Sequence, residues 1–261
     1  MPATDDEIAA FPIDTRVSLD LHPQQILGMA EYDSDTAVNF TDTIAAFDEA
    51  RKAVSKIYDA KQAVAGDPTM NDAAKLLKVD DLAGKLLASV LPRMVKAENY
   101  HKEAVRLIEQ SFSEPLNQRA AQTISVEVRA YVKALAEHQG TSTVDKRQKL
   151  SALGFLMNAI NEHDHDTMSA VLGAPPYLSG ITRENQQMLK RRWHEVASAP
   201  TFKKLKAHEA GLALLERKGG LVQFALEKAV GTLNDSGRIW TPAQLRALRN
   251  QSAKAFGQVG A

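Results

Sequence analysis

The six residues NEHDHD, at positions 161–166, bring two histidines and three carboxylates close together. Side chains of these types bind metal ions and transfer protons. His163 and His165 are two residues apart, and on a helix this spacing directs them to different faces, whereas a spacing of three or four would bring them together. Two interpretations follow, a surface metal site or the hydrated end of a helix, and the spacing favours the second.

Two Glu-x-x-His pairs give another reason to consider a metal site. Glu98 and His101 form one pair, and Glu162 and His165 form the other. Ferritin-like di-metal bundles use two such pairs that face inward, together with one carboxylate from each of two further helices. Glu49 and Glu127 fall in the right order along the chain to supply those two carboxylates, so the directions of the side chains on the helices decide the question.

Helical geometry disfavours the di-metal site. At about 100° per residue, Glu98 and His101 fall within an apolar stripe and face a neighbouring helix. Glu162 falls almost opposite the apolar positions of its own helix. Because unpaired burial of polar groups is costly, we predict that Glu98 and His101 form a paired, half-buried polar contact. A pH-sensitive contact through His101 and a metal-binding helical bundle centred on Glu98 and His101 are the alternatives.

The sequence contains no recognisable catalytic pattern. There is no cysteine, which excludes disulfides, thiolate nucleophiles and thiolate metal ligands. A G-x-S-x-G elbow, a P-loop and a G-x-G-x-x-G phosphate cradle are also missing from the sequence. We therefore predict a non-enzymatic protein and assign it no catalytic residue, no metal ligand and no cofactor.

The composition predicts an all-α fold. Gly and Pro number only 14 and 10 in 261 residues, fewer than an all-β protein with frequent turns requires. Residues that favour helices dominate instead. The predicted architecture is an irregular multi-helix bundle with three parts: an extended acidic N-terminal arm (1–40), a central helical bundle (41–180) and a basic C-terminal helical segment (181–261).

Several residues mark the expected helix boundaries. Gly66 is a stop signal, and Thr182 and Thr241 are typical N-caps. Pro92 and Pro115 interrupt the helical pattern. We predict a kink or a new helix start at Pro92, and a new helix with a cap in Ser113–Pro115 and Pro115 in its first turn.

The first forty residues have a different pattern. Val17, Leu19 and Leu21 alternate with polar residues between Pro12 and Pro23, which is typical of an extended segment. No partner strand is predicted, so we expect an arm that lies on another surface. The segment is not a secretory signal, and no run of about 18 apolar residues is long enough to span a membrane, so the expected location is cytoplasmic.

Charge is distributed unevenly although the whole chain has a net charge of zero. Residues 1–80 contain 15 acidic and 7 basic residues, a net charge of −8, whereas residues 183–261 contain 6 acidic and 14 basic residues, a net charge of +8. Oppositely charged ends attract each other, either within one chain or between neighbouring chains.

Basic residues are densest between positions 190 and 208, where they surround Trp193 and Phe202. The cations of this run are Lys190, Arg191, Arg192, Lys203, Lys204 and Lys206. Both aromatic residues fall on apolar helix faces, so we expect them in the core and not stacked on nucleic-acid bases. The run suits a solvated helix face, an acidic protein surface or a phosphate backbone, and an acidic protein is preferred over nucleic acid.

The segment APPYLSG, at positions 174–180, is the clearest loop. Pro175 and Pro176 stiffen it, and Tyr177 and Leu178 are apolar residues that could bind a neighbouring molecule. They could equally pack beneath the adjacent helices, and the sequence does not separate these two interpretations.

Together these features predict a structural or assembly protein. Its acidic arm and basic C-terminal helices would bind copies of itself or other assembly subunits, and a bacteriophage virion component, such as a head, neck or internal protein, is one setting that suits such a chain. The alternatives are a nucleic-acid-associated protein that uses the basic C-terminal third and the metal-binding bundle described above.

Overall fold

The computed structural model describes residues 9–119, 124–137, 151–234 and 237–259, and helices dominate all four ranges. The predicted all-α, multi-helix fold is confirmed. The α-helices are α1 (Gln24–Leu27), α2 (Thr41–Ala65), α3 (Asp72–Arg119), α4 (Ile124–Glu137), α5 (Ala152–Asn161), α6 (His165–Leu172), α7 (Arg183–Ala197), α8 (Ala199–Lys218), α9 (Leu221–Val230) and α10 (Pro242–Val259).

Short elements supplement these helices. Single turns of 3₁₀ helix occur at Leu19–Leu21, Ala37–Phe40 and Pro176–Leu178. Strands β1 (Leu233–Asn234) and β2 (Gly237–Arg238) pair antiparallel in a small ribbon. None of the helices in the four described ranges combines the length and the apolar character that a membrane span requires.

The chain divides into two compact units. Unit 1 contains Met1–Lys102 and Ala207–Ala261, and unit 2 contains Glu103–Lys206. Helices α3 and α8 each contribute residues to both units. The boundaries between the units therefore fall within these two helices, and the predicted division at positions 40 and 180 stays a prediction.

Most of the predicted helix boundaries are found. Gly66 caps the C-terminus of α2. The Thr182 hydroxyl caps α7 by accepting a hydrogen bond of 3.2 Å from the Asn185 N–H. In the same way, the Thr241 hydroxyl accepts a hydrogen bond of 3.2 Å from the Gln244 N–H at the start of α10.

The new helix starts predicted at Pro92 and Pro115 are wrong. Helix α3 is continuous from Asp72 to Arg119 and runs through both prolines. Proline removes one backbone hydrogen bond from a helix interior. Pro92 lies on the exposed side of α3, where water can hydrate the carbonyl that has lost its donor.

The core of unit 1 forms where α9 packs along α2. Phe47 and Ile57 of α2 are fully buried, as is Phe40 immediately before it, and Leu226 of α9 is almost fully buried. Helix α3 contributes further apolar side chains, including Met94, to the same cluster. This unit therefore depends on helices that are distant in sequence.

Unit 2 has its own core, built by α4, α5, α6 and α7. Its central side chains include Leu156, Met168 and Leu189, each fully buried. Trp193 and Phe202 are also buried, which confirms that these two aromatic residues of the basic run face the interior. Apolar periodicity alone was sufficient to predict their direction.

The predicted extended conformation of the N-terminal arm is wrong for residues 17–40. This segment consists of short helical turns, and Val17 and Leu21 lie in the core of unit 1 while Leu19 is 53% exposed. Alternating burial is present as predicted, but it is produced by a turn and a 3₁₀ helix. Period-two alternation over five residues does not distinguish these conformations from a strand.

Polar contacts fix the segment to the rest of unit 1. The Arg51 guanidinium donates a hydrogen bond of 2.8 Å to the Pro12 carbonyl, and Arg16 pairs with Asp59 of α2 at 2.8 Å. Lys218, at the end of α8, forms an ion pair with Asp20. The acidic segment is therefore bound by cations of its own chain, including one from the C-terminal third.

Substitutions at Leu19 and Leu21 test whether the N-terminal segment packs on the core of unit 1. We expect Leu21→Ala to lower the free energy of unfolding by about 2–5 kcal/mol because it removes a fully buried side chain. Leu19→Ala, at an exposed position two residues away, should change it by less than about 0.5 kcal/mol. Urea denaturation followed by circular dichroism measures both. Small, equal effects would mean that the segment does not pack on the core.

Candidate functional site

The NEHDHD segment forms a tight turn between α5 and α6. Helix α5 ends at Asn161, and His163 adopts a left-handed backbone conformation with φ of 57°. Asp164 then caps α6, since its carboxylate accepts hydrogen bonds from the N–H groups of Asp166 and Thr167 at 3.1 and 3.0 Å. The interpretation as a hydrated helix end is confirmed, with capping by Asp164 as an additional role.

Glu98 and His101 do not form the predicted pair. Glu98 forms an ion pair with Lys102, one helical turn further along α3. His101 is fully buried and its partners are on other helices. Across the described ranges, no three side chains of the metal-binding types are grouped so that they could hold an ion.

A buried polar cluster surrounds His101 in unit 1. The Nε2 atom of His101 lies 2.8 Å from the Thr43 hydroxyl on α2, and its Nδ1 atom lies 3.0 Å from Nδ1 of His208 on α8. Thr43 is fully buried and His208 is 4% exposed. Both nitrogens of His101 are thus engaged, and the cluster joins α2, α3 and α8.

Gly211 creates the space that the cluster needs. A Cβ atom at this position would lie 2.5 Å from both Cε1 and Nε2 of His101, closer than such atoms approach in proteins. Glycine is required at this position because α8 packs directly against the imidazole ring of His101, and protein interiors leave no spare volume for a side chain there.

Burial keeps His101 uncharged. Loss of hydration, followed by repulsion from His208, lowers the pKa of His101 to about 4. The rings of Tyr100 and Phe40 lie 5.5 and 6.0 Å away, between centroids, and complete an environment with little capacity to stabilise charge. At neutral pH His101 is therefore an uncharged member of the cluster.

Unit 2 contains a buried histidine, His194, beside a small cavity. His194 stacks on Phe112 with ring centroids 4.1 Å apart, and burial, with repulsion from Lys190, lowers the pKa of His194 to about 4. The adjoining cavity, which His165 and Trp193 help to line, has a volume of about 180 Å³. Ligand pockets usually measure roughly 300–1,000 Å³, so this space is small for a substrate or cofactor.

The basic run lies on α7 and α8 in unit 2, and we call its six cations the basic surface: Lys190, Arg191, Arg192, Lys203, Lys204 and Lys206. The Arg191 guanidinium on α7 and the Lys206 ammonium on α8 lie 5.9 and 5.1 Å from the centroid of the Phe202 ring. Arg192 pairs with Glu195 at 2.8 Å. The fold therefore brings cations from two helices to one location.

Glu195 lies among the charges of the basic surface. Its hydrogen bond with Arg192, together with the positive charges of Lys206 and Arg191, lowers its pKa. Lys203 and Lys204 are exposed on α8, while Lys190 is half-buried and burial lowers its pKa. One carboxylate is thus present among six cations over residues 190–206.

The two apolar loop residues are accessible. Tyr177 is 72% exposed and Leu178 is 41% exposed. Their 3₁₀ turn lies against α4, and it is followed by Gly180, whose φ of 65° allows the chain to turn towards α7. Packing beneath the adjacent helices is therefore excluded for Tyr177, and binding of a neighbour through these residues stays a prediction.

Of the predicted interaction residues of the N-terminal segment, Leu19 alone is exposed. Val17 and Leu21 are 6% and 0% exposed, so in this fold they cannot contact another molecule. The prediction that these two residues bind a neighbour is wrong, because the apolar face of the segment is already covered by α2 and α9.

Comparisons with known proteins identified no match: no family model, no curated protein and no solved structure matches this chain.

The role of Gly211 can be tested directly. Gly211→Ala should lower the free energy of unfolding by about 1–3 kcal/mol, because the added methyl group displaces the His101 ring. Gly84→Ala is the matched control on α3, where an added Cβ would meet no atom within 4 Å. That change should be neutral or stabilise the protein by up to about 1 kcal/mol. Denaturation curves that rank the two variants in the opposite order would contradict the described packing.

Proposed function

We propose that this chain is a non-enzymatic assembly protein, in which the basic surface of unit 2 binds unit 1 of another copy. The observation that supports the proposal most is the convergence of Arg191 and Lys206 on one aromatic ring. Two helices hold these cations in place, so the positive patch is a feature of the fold and not of a mobile chain. Fixed charges of this kind favour a specific partner orientation.

Charge balance identifies the complementary surface. Unit 2 contains 11 acidic and 14 basic residues, a net charge of +3, and unit 1 contains 21 acidic and 18 basic residues, a net charge of −3. Head-to-tail contact between copies would therefore bring opposite charges together. Such heterologous contacts generate rings or longer arrays.

The acidic side chains of unit 1 are accessible although many have partners within the chain. Asp59 is 64% exposed in its ion pair with Arg16, and Asp81 is 57% exposed in its pair with Arg249. Exposed ion pairs contribute only about 0–1 kcal/mol each, so they can exchange for contacts with a neighbouring copy. Leu19, Tyr177 and Leu178 add accessible apolar area to the proposed contacts.

Nucleic acid is the second candidate partner. Clustered cations with few carboxylates among them are also typical of surfaces that bind phosphate groups. In this alternative Phe202 has no stacking role, because its ring is 4% exposed. A virion component, in which protein and nucleic acid are both present, is a setting compatible with either partner.

Molar mass measured across a salt series tests the proposal. The full chain should associate at about 50 mM salt and dissociate towards 500 mM, because charge attraction between surfaces is screened over about one Debye length. The double variant Arg191→Glu with Lys206→Glu should be monomeric throughout.

The matched control reverses two exposed lysines of unit 1, Lys56→Glu with Lys85→Glu, which makes the same change in total charge. It should not abolish association. A monomeric full chain at low salt would refute self-assembly. Fluorescence anisotropy with a labelled DNA duplex and a labelled RNA distinguishes the second candidate, which requires binding that weakens steeply with salt and is lost in the Arg191→Glu, Lys206→Glu variant.

A further inference from the structure

We propose that the contact between His101 and His208 is an acid-sensitive lock that holds α8 against α2 and α3 within unit 1 at neutral pH and releases it in acid. The inference depends on hydrogen-bond geometry at the two facing ring nitrogens. It is independent of the partner that the basic surface binds.

The distance between the two Nδ1 atoms determines how many hydrogen atoms lie between them. Two Nδ1 atoms that lie 3.0 Å apart need one hydrogen between them, so that one ring donates and the other accepts. Neutral imidazole carries one N–H, so the donor ring must be the Nδ1–H form and the acceptor ring the Nε2–H form. The pair thus requires two complementary tautomers.

Thr43 is compatible with either direction of this chain. If His101 donates from Nδ1, its Nε2 atom is an acceptor and the Thr43 hydroxyl donates to it. If His101 accepts at Nδ1, its Nε2–H donates to the hydroxyl oxygen. The distance of 2.8 Å suits both cases, and the neutral pair is satisfied in each.

The closed His101–His208 contact can accept one additional proton but not two. One added proton keeps the contact, because a charged ring can still donate to a neutral one, although the charge is then buried among Tyr100, Phe40 and Gly211. A second proton places two N–H groups opposite each other at a separation that fits only one hydrogen. Both rings also carry positive charge in that state, so the closed form excludes it.

Neighbouring charges offer little compensation. On α2, Asp42 next to Thr43 is paired with Lys96 at 3.0 Å, and on α3 Glu98 is paired with Lys102. On α8, Glu209 follows His208 and has an interaction of its own. Tyr100 is a titratable ring that faces both histidines, with centroids 5.5 and 5.4 Å away.

The direction of the pH effect follows from these states. The closed form binds fewer protons than the open form between the pKa of His101, about 4, and the ordinary histidine pKa of about 6.5. A group with a depressed pKa in the closed form stabilises it fully above about pH 6.5 and loses that effect as the pH falls towards 4. Acid therefore opens the contact.

Hydrogen exchange of the full chain at pH 7 and pH 5 tests the lock. After correction for intrinsic rates, the opening constant of peptides from α2 and the 207–218 part of α8 should rise on the order of 500-fold, from roughly 25-fold for each histidine that becomes protonated on opening. In His208→Asn one titrating histidine of the pair remains, so the contribution of the pair to the rise should fall to roughly 25-fold.

His194→Asn is the control, because it removes a buried histidine of unit 2, and it should keep the behaviour of the unaltered chain in these peptides. An equal rise in the unaltered chain and in His208→Asn would overturn the proposal. Nitrogen spectra of ring-labelled histidine in the unaltered chain give a second test that needs no substitution. They should show one Nδ1–H ring and one Nε2–H ring for the pair at pH 7, whereas two Nε2–H rings would also overturn it.

Discussion

Closure of unit 1 by its own N-terminal segment is the constraint on which the rest of the structure depends. Leu21 and Ile26 are fully buried, and they cover the apolar faces of α2 and α9. Each fully buried side chain of this size contributes about 1.5–3 kcal/mol. Without the segment, the helices of unit 1 would expose a continuous apolar face, so the segment belongs to the core and not to an arm.

This placement determines which surfaces are left for partners. Asp20 is bound to Lys218, and Asp80 to Arg249 at 2.5 Å, so acidic residues of the N-terminal third and basic residues of the C-terminal third already meet within one chain. The opposite charges of the two ends are thus partly used in folding. Among the described residues, the basic surface of unit 2 is a concentration of positive charge that takes no part in these two contacts.

The interior of unit 1 shows how a helical core accommodates polar groups. Burying a charged group would cost several kcal/mol, so the His101 and His208 rings are arranged as neutral hydrogen-bonding partners. The arrangement needs Gly211 at the closest approach and Thr43 at the far end. The proposed lock would also make the stability of the core depend on pH, which an all-apolar core would not do.

The sequence predicted features that depend on local patterns. Helix caps at Thr182 and Thr241 and the inward direction of Trp193 and Phe202 were predicted correctly, because capping chemistry and apolar period are local. The partner of His101 was missed, since His208 is 107 residues away in the chain. One signal was present, because His208 shares a helix face with Leu205 and Leu215 and its burial could have been inferred.

Other errors arose where tertiary contacts decide the outcome. Alternation at Val17 and Leu21 indicated buried positions correctly, but a five-residue pattern did not reveal that the covering surface belongs to the same chain. Pro92 has the chemistry of a helix interruption, yet α3 is continuous through it, and Val90 and Met94 on either side lie in the core of unit 1. Contacts between residues that are far apart in the chain cannot be identified from the local patterns of a single sequence.

The most direct test asks whether Asp20 and Lys218 meet within one chain. A carbodiimide couples a carboxylate to an amine only when they are in contact, and the reaction can be run on an equal mixture of chains labelled with ¹⁴N and ¹⁵N. The structure predicts that mass spectrometry will find cross-linked Asp20–Lys218 peptides that are uniformly light or uniformly heavy. Mixed light–heavy peptides in the amount expected from random pairing would show that the segment binds a neighbouring copy and would contradict the closed unit described above.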